Sequence, residues 1–595
     1  MSVYFPGISQ TCMNSLGEIV FMGSYPDFDA ILSRLSIEEK VAQKMVFGWT
    51  GSIIDPSLLR FIDKYGLGGL RVTQNGARKA DARYRLSTVS NDAPDPAVDA
   101  DGLELPLEWG EKTLDVSIPA PVVPGDFFAR QLNIYKKRCL ERNDLPMHVV
   151  ADFEGTTNNF PAPYLISPPN AMSLGRLGDF DLVERLYKAM ARQLKALGID
   201  WIHSPVADVN VNPENPEIST RSFGADPAIV TAGNRALIKG CTASGLITSM
   251  KHFPGRGDSM TDAHFSVPSV DLPLEDLERI HTSPYRTLIA EGIVPSIMLA
   301  HTVYPALDKS GNIATCSPEI ITGYLRGELG FEGVITTDSL TMGGLVNKYS
   351  LAEACILNIL AGGDLLLMKS ENALRTKVHE TIVNAVKSGR IPEEMLDLSL
   401  KRIWKLKAQF GLFENGNLTD DTQTNAIVAE PAARTVSREA SSRVLHVMRS
   451  KDALWPLDKE CKLLVIEHLT DNHTRRNQFW NYPGVINEFL QKYTENYTYV
   501  EFNPHKEERA WKYIDELLPM ADKVLMLGDY DRSCPGKATR EFVEKLINRG
   551  KPVIYATSNP YKELMIPDNA QNVIFTGGIM REQYEALIDF LFGKL

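Results

Sequence analysis

The stretch LITSMKHFPG, residues 246–255, joins a short apolar run to polar residues and then to a Gly/Pro-rich turn. Six other stretches show the same order, and amphipathic helical patterns separate them: LGGLRV (67–72), MHVVADFEG (147–155), IDWIHSPVADV (199–209), PSIMLAHT (295–302), GVITTDSL (333–340) and GGDLLLM (362–368). An alternation of strands with helices is typical of a parallel sheet. The number of units favours a closed (β/α)8 TIM-like barrel over residues 28–415, with an open sheet as the alternative.

The remainder of the chain predicts a second domain. Residues 416–453 begin polar and turn-rich and continue into a helix-like segment at 432–450, which indicates a linker and a connecting helix. Five apolar runs then alternate with helical patterns: CKLLVIEHL (461–469), YTYVEFN (497–503), KVLMLGDYD (523–531), PVIYATSNP (552–560) and NVIFTGG (572–578). They predict a C-terminal α/β sandwich domain with a doubly wound sheet over residues 454–595. It has no GxGxxG motif after a strand and no P-loop, which argues against a nucleotide.

An irregular segment interrupts the barrel pattern at about residues 73–124. Its stretches NDAPDPAVDADGLELP and SIPAPVVPGD are rich in Pro, Asp and Ala and show no sustained period. A long irregular insertion in a compact domain is either a functional loop or a disordered segment. The pattern does not choose between these two interpretations.

Composition and charge limit the partners of the chain. The 595 residues are 44% hydrophobic, and no apolar run approaches the roughly 18 residues of a membrane helix, so we predict no membrane partner. A formal net charge of -12 argues against nucleic acid and fits a neutral substrate better. No secretory signal is evident at the N-terminus, and seven cysteines without a CxxC pair suit a reducing compartment. We therefore predict a cytoplasmic protein.

Polar residues follow the predicted strands at the places where a parallel α/β fold carries its functional groups. They are Asp152, Glu154, Asp208, Lys251, His252, His301 and Asp338. A single carboxylate at such a place more often caps a helix or pairs with a neighbour. Groups that converge from five strand ends predict a functional site.

The loop after residue 250 carries the pair Asp262 and His264 within KHFPGRGDSMTDAH, residues 251–264. Two residues apart in a loop, a carboxylate can accept a hydrogen bond from an imidazole N–H and raise its basicity. Such a dyad can donate and then accept a proton, which typically contributes about 10²–10⁴ in rate. An Asp-x-His pair by itself is more often part of a surface loop, so its interpretation depends on the rest of the chain.

The same segment resembles the KHFPGHGDTxxDSH signature of family 3 glycoside hydrolases, in their β-N-acetylglucosaminidase branch. The resemblance extends to NPENPEISTRSFGADP (212–227), MLAHTVYPALD (298–308) and SPEIITGYLRGELGFEGVITTDSLTMGG (317–344). These four motifs stand in the same order as in that branch, and the resemblance that they carry extends over most of residues 30–410. The resemblance implies a two-domain retaining enzyme that removes terminal, non-reducing β-linked N-acetylglucosamine from a small glycan or a cell-wall fragment.

Carried over residue by residue, the resemblance implies that Asp338 is the covalent nucleophile and that Asp262 and His264 form the acid/base dyad. It implies a substrate-binding set of Asp152, Arg221, Lys251, His252, Arg256 and Met342. In a retaining mechanism one carboxylate attacks the anomeric carbon while a second group protonates the leaving oxygen and then activates water. This chemistry needs no metal and no organic cofactor, and the histidines show no ligand spacing for a metal.

Two departures from the family pattern affect the sugar pocket. The family's DxEGGRV is here Asp152-Phe-Glu154-Gly155-Thr156-Thr157-Asn158, and the second His of KHFPGHG is Arg256. Neither change touches the nucleophile or the dyad, so both departures concern the identity of the sugar and not the reaction.

Three alternatives therefore stay open. Phosphate in place of water as the acceptor would make the enzyme a phosphorylase, since a neutral histidine repels phosphate less than a carboxylate does. A β-glucosidase-like specificity is the second alternative, and a catalytically weak sugar-binding protein is the third.

Overall fold

A computed structural model describes residues 25–49, 54–72, 124–155, 165–261, 263, 267–368, 374–468, 484–503, 507–529 and 536–595. It also gives the backbone of two short strands, β1 (Thr11–Met13) and β2 (Ile19–Phe21), which pair in antiparallel fashion. The insertion predicted at 73–124 lies outside the described residues, except for Pro124.

The first large sheet contains eight parallel strands in the order β10-β3-β4-β5-β6-β7-β8-β9. They are β3 (Met45–Trp49), β4 (Gly69–Val72), β5 (His148–Ala151), β6 (Trp201–Ile202), β7 (Ile247–Phe253), β8 (Ser296–Leu299), β9 (Val334–Thr337) and β10 (Leu366–Met368). A parallel bridge between Thr336 and Leu365 joins the two ends, and the N–H of Thr337 donates to the carbonyl of Leu365 over 3.1 Å. The sheet is therefore a closed TIM-like barrel, which confirms the predicted fold class.

Helices alternate with the barrel strands. They are Phe28–Arg34, Ile37–Lys44, Pro56–Tyr65, Gly125–Asn143, Ala171–Leu177, Phe180–Ala196, Pro227–Thr242, Leu274–Asp276, Ser283–Ala290, Gly343–Val346, Leu351–Leu360, Leu374–Lys387 and Glu393–Gln409. Leu277–Thr282 and Glu319–Glu328 are π-helical, and Ser219–Arg221, Ala314–Cys316 and Glu414–Asn417 form 3₁₀ turns.

Local chemistry explains where several helices begin. The Ser36 N–H donates to Glu39 Oε2 over 3.0 Å and the Glu39 N–H donates to Ser36 Oγ over 3.3 Å, which is a capping box for Ile37–Lys44. Asp55 accepts a bond from the N–H of Ser57 over 2.7 Å and caps the next helix, whose first residue is Pro56.

The second large sheet contains six strands in the order β11-β16-β15-β14-β12-β13. They are β11 (His446–Ser450), β12 (Leu463–His468), β13 (Tyr497–Phe502), β14 (Lys523–Gly528), β15 (Val553–Thr557) and β16 (Asn572–Phe575). Strands β12 to β16 run parallel, and β11 pairs with β16 in the opposite direction. The accompanying helices are Ile486–Leu490, Glu507–Leu517, Gly536–Ile547 and Arg581–Leu591, with a 3₁₀ turn at Leu518–Met520.

Both faces of this second sheet are covered. Leu464 and Ile466 of β12 enter one apolar cluster, whereas Leu463 and Val465 enter another. Because successive side chains of a strand point to opposite faces, the sheet has an apolar layer on each side. This arrangement confirms the predicted α/β sandwich with a doubly wound sheet.

The segment between the two sheets corrects one prediction. The helix-like pattern at 432–450 is helical only within Pro431–Val444, and a further helix, Asp421–Val428, precedes it. Residues 446–450 form strand β11 instead. The helical interpretation of these residues was wrong because hydrogen bonds to the neighbouring strand β16 outweigh a weak local propensity. The domain boundaries near residues 415 and 453 stay predictions.

Candidate active site

The carboxyl ends of the barrel strands bring most of the predicted site residues together. Asp152 follows β5 directly and Asp338 follows β9 directly, whereas Lys251 and His252 lie near the end of β7. In a parallel barrel these ends share one rim, so side chains far apart in the sequence meet there. The register between β7 and β8 shifts between Lys251 and Phe253, and His252 stands between these two residues.

Asp338 is a partly accessible carboxylate within this group. Its Oδ1 accepts a hydrogen bond from the N–H of Ser339 over 2.7 Å. Its Oδ2 lies 3.8 Å from His252 Nε2 and 3.8 Å from Arg256 Nη2, and the side chain is 14% exposed. The carboxylate is thus oriented on one side by donors while part of it stays accessible to a substrate.

Asp208 orients two of the groups around Asp338. Its Oδ2 lies 2.7 Å from Nδ1 of His252, and its Oδ1 accepts the backbone N–H of Arg256 over 2.7 Å. When Nδ1 donates to Asp208, Nε2 of His252 turns toward the nucleophile candidate. Burial raises the pKa of Asp208 to about 6, against the opposing charge and backbone hydrogen bond of Arg256.

Glu154, Arg221 and Lys251 form a second buried group. Arg221 donates to Glu154 through Nε over 2.7 Å and through Nη2 over 3.1 Å, and Lys251 Nζ pairs with the same carboxylate. Burial alone would raise the pKa of Glu154, but the charges of Arg221 and Lys251 outweigh it and lower the pKa to about 2. A bidentate Arg–carboxylate pair fixes the plane of the guanidinium, so Arg221 has one defined orientation in the site.

Asp152 connects this group to the barrel wall. Arg71 on β4 donates to Asp152 Oδ2, while His203 Nδ1 lies 3.4 Å and Lys251 Nζ 3.8 Å from Oδ1. Although burial opposes the change, Arg71 and Lys251 hold the pKa of Asp152 well below its usual range. The side chain is 18% exposed, so an ionised acceptor faces the mouth of the barrel.

The side chain of Arg256 is almost completely buried. It is 1% exposed, and its Nη2 donates to Glu217 Oε1 over 2.7 Å. The charges of Glu217, Asp338 and Asp208 raise the pKa of Arg256, although burial opposes them. A direct role of Arg256 in substrate binding stays a prediction, whereas its contact with Glu217 is a feature that the sequence did not indicate.

The charges of the site nearly cancel. Its cationic side chains are Arg71, Arg221, Lys251 and Arg256, and its carboxylates are Asp152, Glu154, Asp208, Glu217 and Asp338. Reciprocal pairing of this kind offers donors and acceptors without a strong net field. The arrangement therefore suits a neutral, hydroxyl-rich ligand.

Two of the three remaining predicted residues lie outside the part of the chain that the structure describes. Asp262 and His264 lie outside the described residues, but Ala263 between them is buried. The N–H of Ala263 donates to Glu217 Oε2 over 3.4 Å, and its carbonyl accepts the N–H of Gly344 over 3.0 Å. Met342 is buried at the N-cap of helix Gly343–Val346, four residues beyond Asp338. The backbone of Ala263 thus lies against the strand-end loop that follows the nucleophile candidate.

Sequence reasoning missed several residues of this network. Glu154 and Asp208 were recognised as polar strand ends but were given no role, and Arg71, His203 and Glu217 were not recognised. Arg71 stands inside a predicted strand, and a charged residue inside an apolar run is a signal that could have identified it. Glu217 lies in an irregular turn, and no local pattern indicates its partner.

Two further searches concern only the described part of the chain. No group of three or more His, Cys, Asp or Glu side chains there has the arrangement of a metal site. No described helix combines the length and the apolar character that crossing a lipid bilayer requires.

Comparison with known proteins finds a matching family model and similar proteins. Residues 129–406 match the sequence model described as the glycosyl hydrolase family 3 N terminal domain. Beta-hexosaminidase A of Pseudoalteromonas piscicida is 32% identical over 289 residues, which are 45% of this chain and 48% of that protein. A beta-N-acetylglucosaminidase/beta-glucosidase of Cellulomonas fimi is 30% identical over 298 residues, which are 49% and 52% of the two chains. The chain spans about half the length of these curated relatives.

A solved structure extends the likeness to the whole fold. The structure of a glycoside hydrolase family 3 beta-N-acetylglucosaminidase from Paenibacillus sp. str. FPU-7 has a TM-score of 0.78 at 23% identity. The alignment covers 94% of this chain and 97% of that chain. At this identity the likeness supports the two-domain fold alone.

Proposed function

We propose that this chain, whose residues 129–406 belong to glycosyl hydrolase family 3, is a retaining glycoside hydrolase with Asp338 as its nucleophile. The observation that carries the proposal is the position of Asp338 at the end of β9. It is partly exposed and lies 3.8 Å from both His252 and Arg256, within a nearly charge-balanced rim. A carboxylate in this position can approach a sugar ring from one face.

The reaction proceeds by double displacement. An oxygen of Asp338 attacks the anomeric carbon, and the bond to the leaving oxygen breaks as that oxygen takes a proton from His264, which Asp262 orients. Water then attacks the glycosyl-aspartate, gives its proton to His264 and releases Asp338 as a carboxylate. The contact of the Ala263 N–H with Glu217 supports this assignment, because it holds the loop between the two dyad positions against the site.

The substrate is a terminal, non-reducing β-linked N-acetylglucosamine. Asp152 accepts hydrogen bonds from sugar hydroxyls, and Lys251, His252 and Arg221 donate to them. The names of the relatives in Pseudoalteromonas piscicida and Cellulomonas fimi support an N-acetylhexosamine as the sugar. The balanced charge of the rim supports a neutral sugar in the pocket.

The direct test is a panel of chromogenic β-N-acetylglucosaminide, β-glucoside, β-galactoside and β-xyloside substrates. We expect turnover of the N-acetylglucosaminide and a loss of about 10³-fold or more in Asp338→Asn. Asp276→Asn, a change in an exposed surface pair, serves as the control and keeps wild-type turnover. Wild-type rates in Asp338→Asn would overturn the assignment of the nucleophile, and turnover of the glucoside alone would overturn the sugar.

Phosphorolysis is a second candidate that one observation favours. Nε and Nη1 of the buried Arg256 have no hydrogen-bond partner among the described residues, and a cation beside the nucleophile suits an anionic acceptor. Turnover measured in phosphate and in an inert buffer, with detection of sugar 1-phosphate, separates the two reactions. A phosphorylase should lose its phosphate dependence in Arg256→His, and a hydrolase should form no sugar phosphate at all.

A further inference from the structure

One loop of the C-terminal domain contacts the active-site rim of the barrel. This docking loop, Ser558–Tyr561, follows β15 at its carboxyl end. Three hydrogen bonds join it to the barrel within the described residues: Asn170 Nδ2 donates to the Ser558 carbonyl (3.0 Å), Asn559 Nδ2 to Ser219 Oγ (2.8 Å) and Asn210 Nδ2 to Tyr561 OH (2.9 Å). The second domain therefore bonds to barrel segments that also carry site residues.

Asn559 is held rigidly within the docking loop. It is fully buried, its N–H donates to Thr557 Oγ1 over 3.2 Å, and its Oδ1 accepts the N–H of Tyr561 over 2.9 Å. With its acceptor engaged inside the loop, the side-chain amide directs its donor to Ser219 in the barrel. The geometry is that of a fixed donor on one domain and a receiving hydroxyl on the other.

Ser219 is the barrel residue that accepts the hydrogen bond from Asn559. It lies between Glu217, which binds Arg256, and Arg221, which binds Glu154. Its backbone adopts φ 42, in the left-handed region that residues other than glycine seldom occupy. A residue in this conformation persists only when its surroundings hold it there. The bond from Asn559 is one of the contacts that hold it, so its loss should reach both neighbouring side chains.

We propose that Asn559 is a positioning residue through which the C-terminal domain fixes Arg221 and Glu217 in the active site. The inference rests on the proposed function, because it assigns the second domain a task in binding the same sugar. Arg221 is anchored to Glu154 at its far end and to the Glu217 carbonyl over 2.9 Å. A shift of the turn at Ser219 therefore displaces the guanidinium from the sugar and weakens substrate binding before it affects the nucleophile.

The test compares Asn559→Ala, Ser219→Ala and the double variant in the full chain. We expect each single variant to raise KM for the N-acetylglucosaminide about tenfold with kcat nearly unchanged, since one buried hydrogen bond is lost. The double variant should show no further rise, because both changes remove the same bond. Asn569→Ala is the matched control, since its amide donates within the C-terminal domain to Asn548 and the Glu544 carbonyl.

An unchanged KM in Asn559→Ala, or effects that add in the double variant, would overturn the proposal. Hydrogen exchange of the amides in residues 215–221 provides a readout without turnover. We expect faster exchange in Asn559→Ala than in Asn569→Ala, and equal exchange contradicts the coupling. If wild type turns over no glycoside, the proposed function fails, and the exchange experiment still decides whether the docking loop fixes the turn. If Asn559→Ala does not fold, Ser219→Ala supplies both measurements.

Discussion

The two ends of the barrel bury charge in different ways. At the amino ends of the strands, Lys407 Nζ donates to the carbonyls of Gly68 and Pro146, each over 2.8 Å. Burial lowers the pKa of Lys407 to about 7, and it likewise lowers the pKa of Lys44 to about 7. These amines are fully buried and bind backbone carbonyls.

Two buried carboxylates at the amino ends, Asp200 and Asp364, have cationic partners as well. At the carboxyl ends, charged side chains also bind one another, but next to a group that is partly exposed. Glu154 receives Arg221 and Lys251, and Asp338 stays partly exposed beside His252. The difference shows that a buried charge alone does not mark a functional site. What distinguishes the carboxyl ends is that Asp338 within the paired network is 14% exposed, whereas Asp200 and Asp364 at the amino ends are buried. Changes at the amino ends are expected to affect stability alone, and changes at the carboxyl ends to affect activity as well.

Among changes to buried charged groups other than the nucleophile candidate, the largest effect is expected at the carboxyl ends of the barrel strands. Glu154→Gln leaves Arg221 and Lys251 buried without their anion, so we expect kcat/KM to fall about 10²–10³-fold. The free energy of unfolding should fall by about 3–5 kcal/mol, as for other broken buried pairs. Kinetics and chemical denaturation measure the two effects. Glu353→Gln, in an exposed pair with Arg390, is the control, and a small loss of activity in Glu154→Gln would contradict the comparison.

A pH profile tests the coupling of Asp208 to His252. The pKa of Asp208 is raised to about 6, so the folded state binds the extra proton between about pH 4 and 6 and loses stability as the pH rises through this window. Activity should change in the opposite direction, because only the ionised carboxylate accepts both His252 and the Arg256 N–H.

We therefore expect an acid limb of kcat/KM near pH 6. In Asp208→Asn this limb should weaken, and kcat/KM at pH 7 should fall about 10–100-fold. Asp276→Asn again gives the reference profile. An acid limb that Asp208→Asn leaves unaltered would remove Asp208 from the explanation of the pH dependence.

Lys407→Met tests the amino ends of the barrel strands. The pKa of Lys407 in the folded protein is about 7, below the ordinary lysine value of 10.5, so the unfolded state binds more protons between these values and wild-type stability rises with pH. The increment is up to about 1.4 kcal/mol per pH unit. The variant leaves two buried carbonyls without their donor and should cost about 1–3 kcal/mol, more at pH 9 than at pH 6.

Turnover per folded molecule should stay at the wild-type level in Lys407→Met. Lys401→Met, at an exposed lysine paired with Asp29, should show no such pH dependence. Denaturant titrations at the two pH values provide the measurement. A cost that is the same at both pH values would mean that Lys407 keeps an ordinary pKa.

The smallest effect on activity and stability is expected from a change in a surface ion pair. Arg390 pairs with Glu353 on the surface, where both side chains are more than a third exposed. Such pairs contribute about 0–1 kcal/mol, so Arg390→Ala should alter neither activity nor unfolding beyond this range. A larger loss would show that charge at the surface matters as much as charge at the barrel ends.

The sequence predicted much of this fold from local patterns. Seven of the barrel strands coincide with the apolar runs named above, and the five runs of the C-terminal domain coincide with β12 to β16. These predictions succeed because strand and helix periods depend on nearby residues. The edge strand β11 was missed for the opposite reason, since its pairing with β16 joins residues more than a hundred positions apart.

For the candidate site, too, the sequence determined some features and the tertiary structure determined the others. By itself the sequence determined that polar side chains end the apolar runs, and its motifs singled out Asp338, Lys251 and His252. Only the tertiary structure decided their partners: that Asp208 orients His252, that Glu217 receives Arg256, and that Asn559 reaches Ser219 from another domain. A strand end is a local property of the chain, whereas hydrogen bonds between residues 39 to 340 positions apart exist only once the barrel has closed and the second domain has docked.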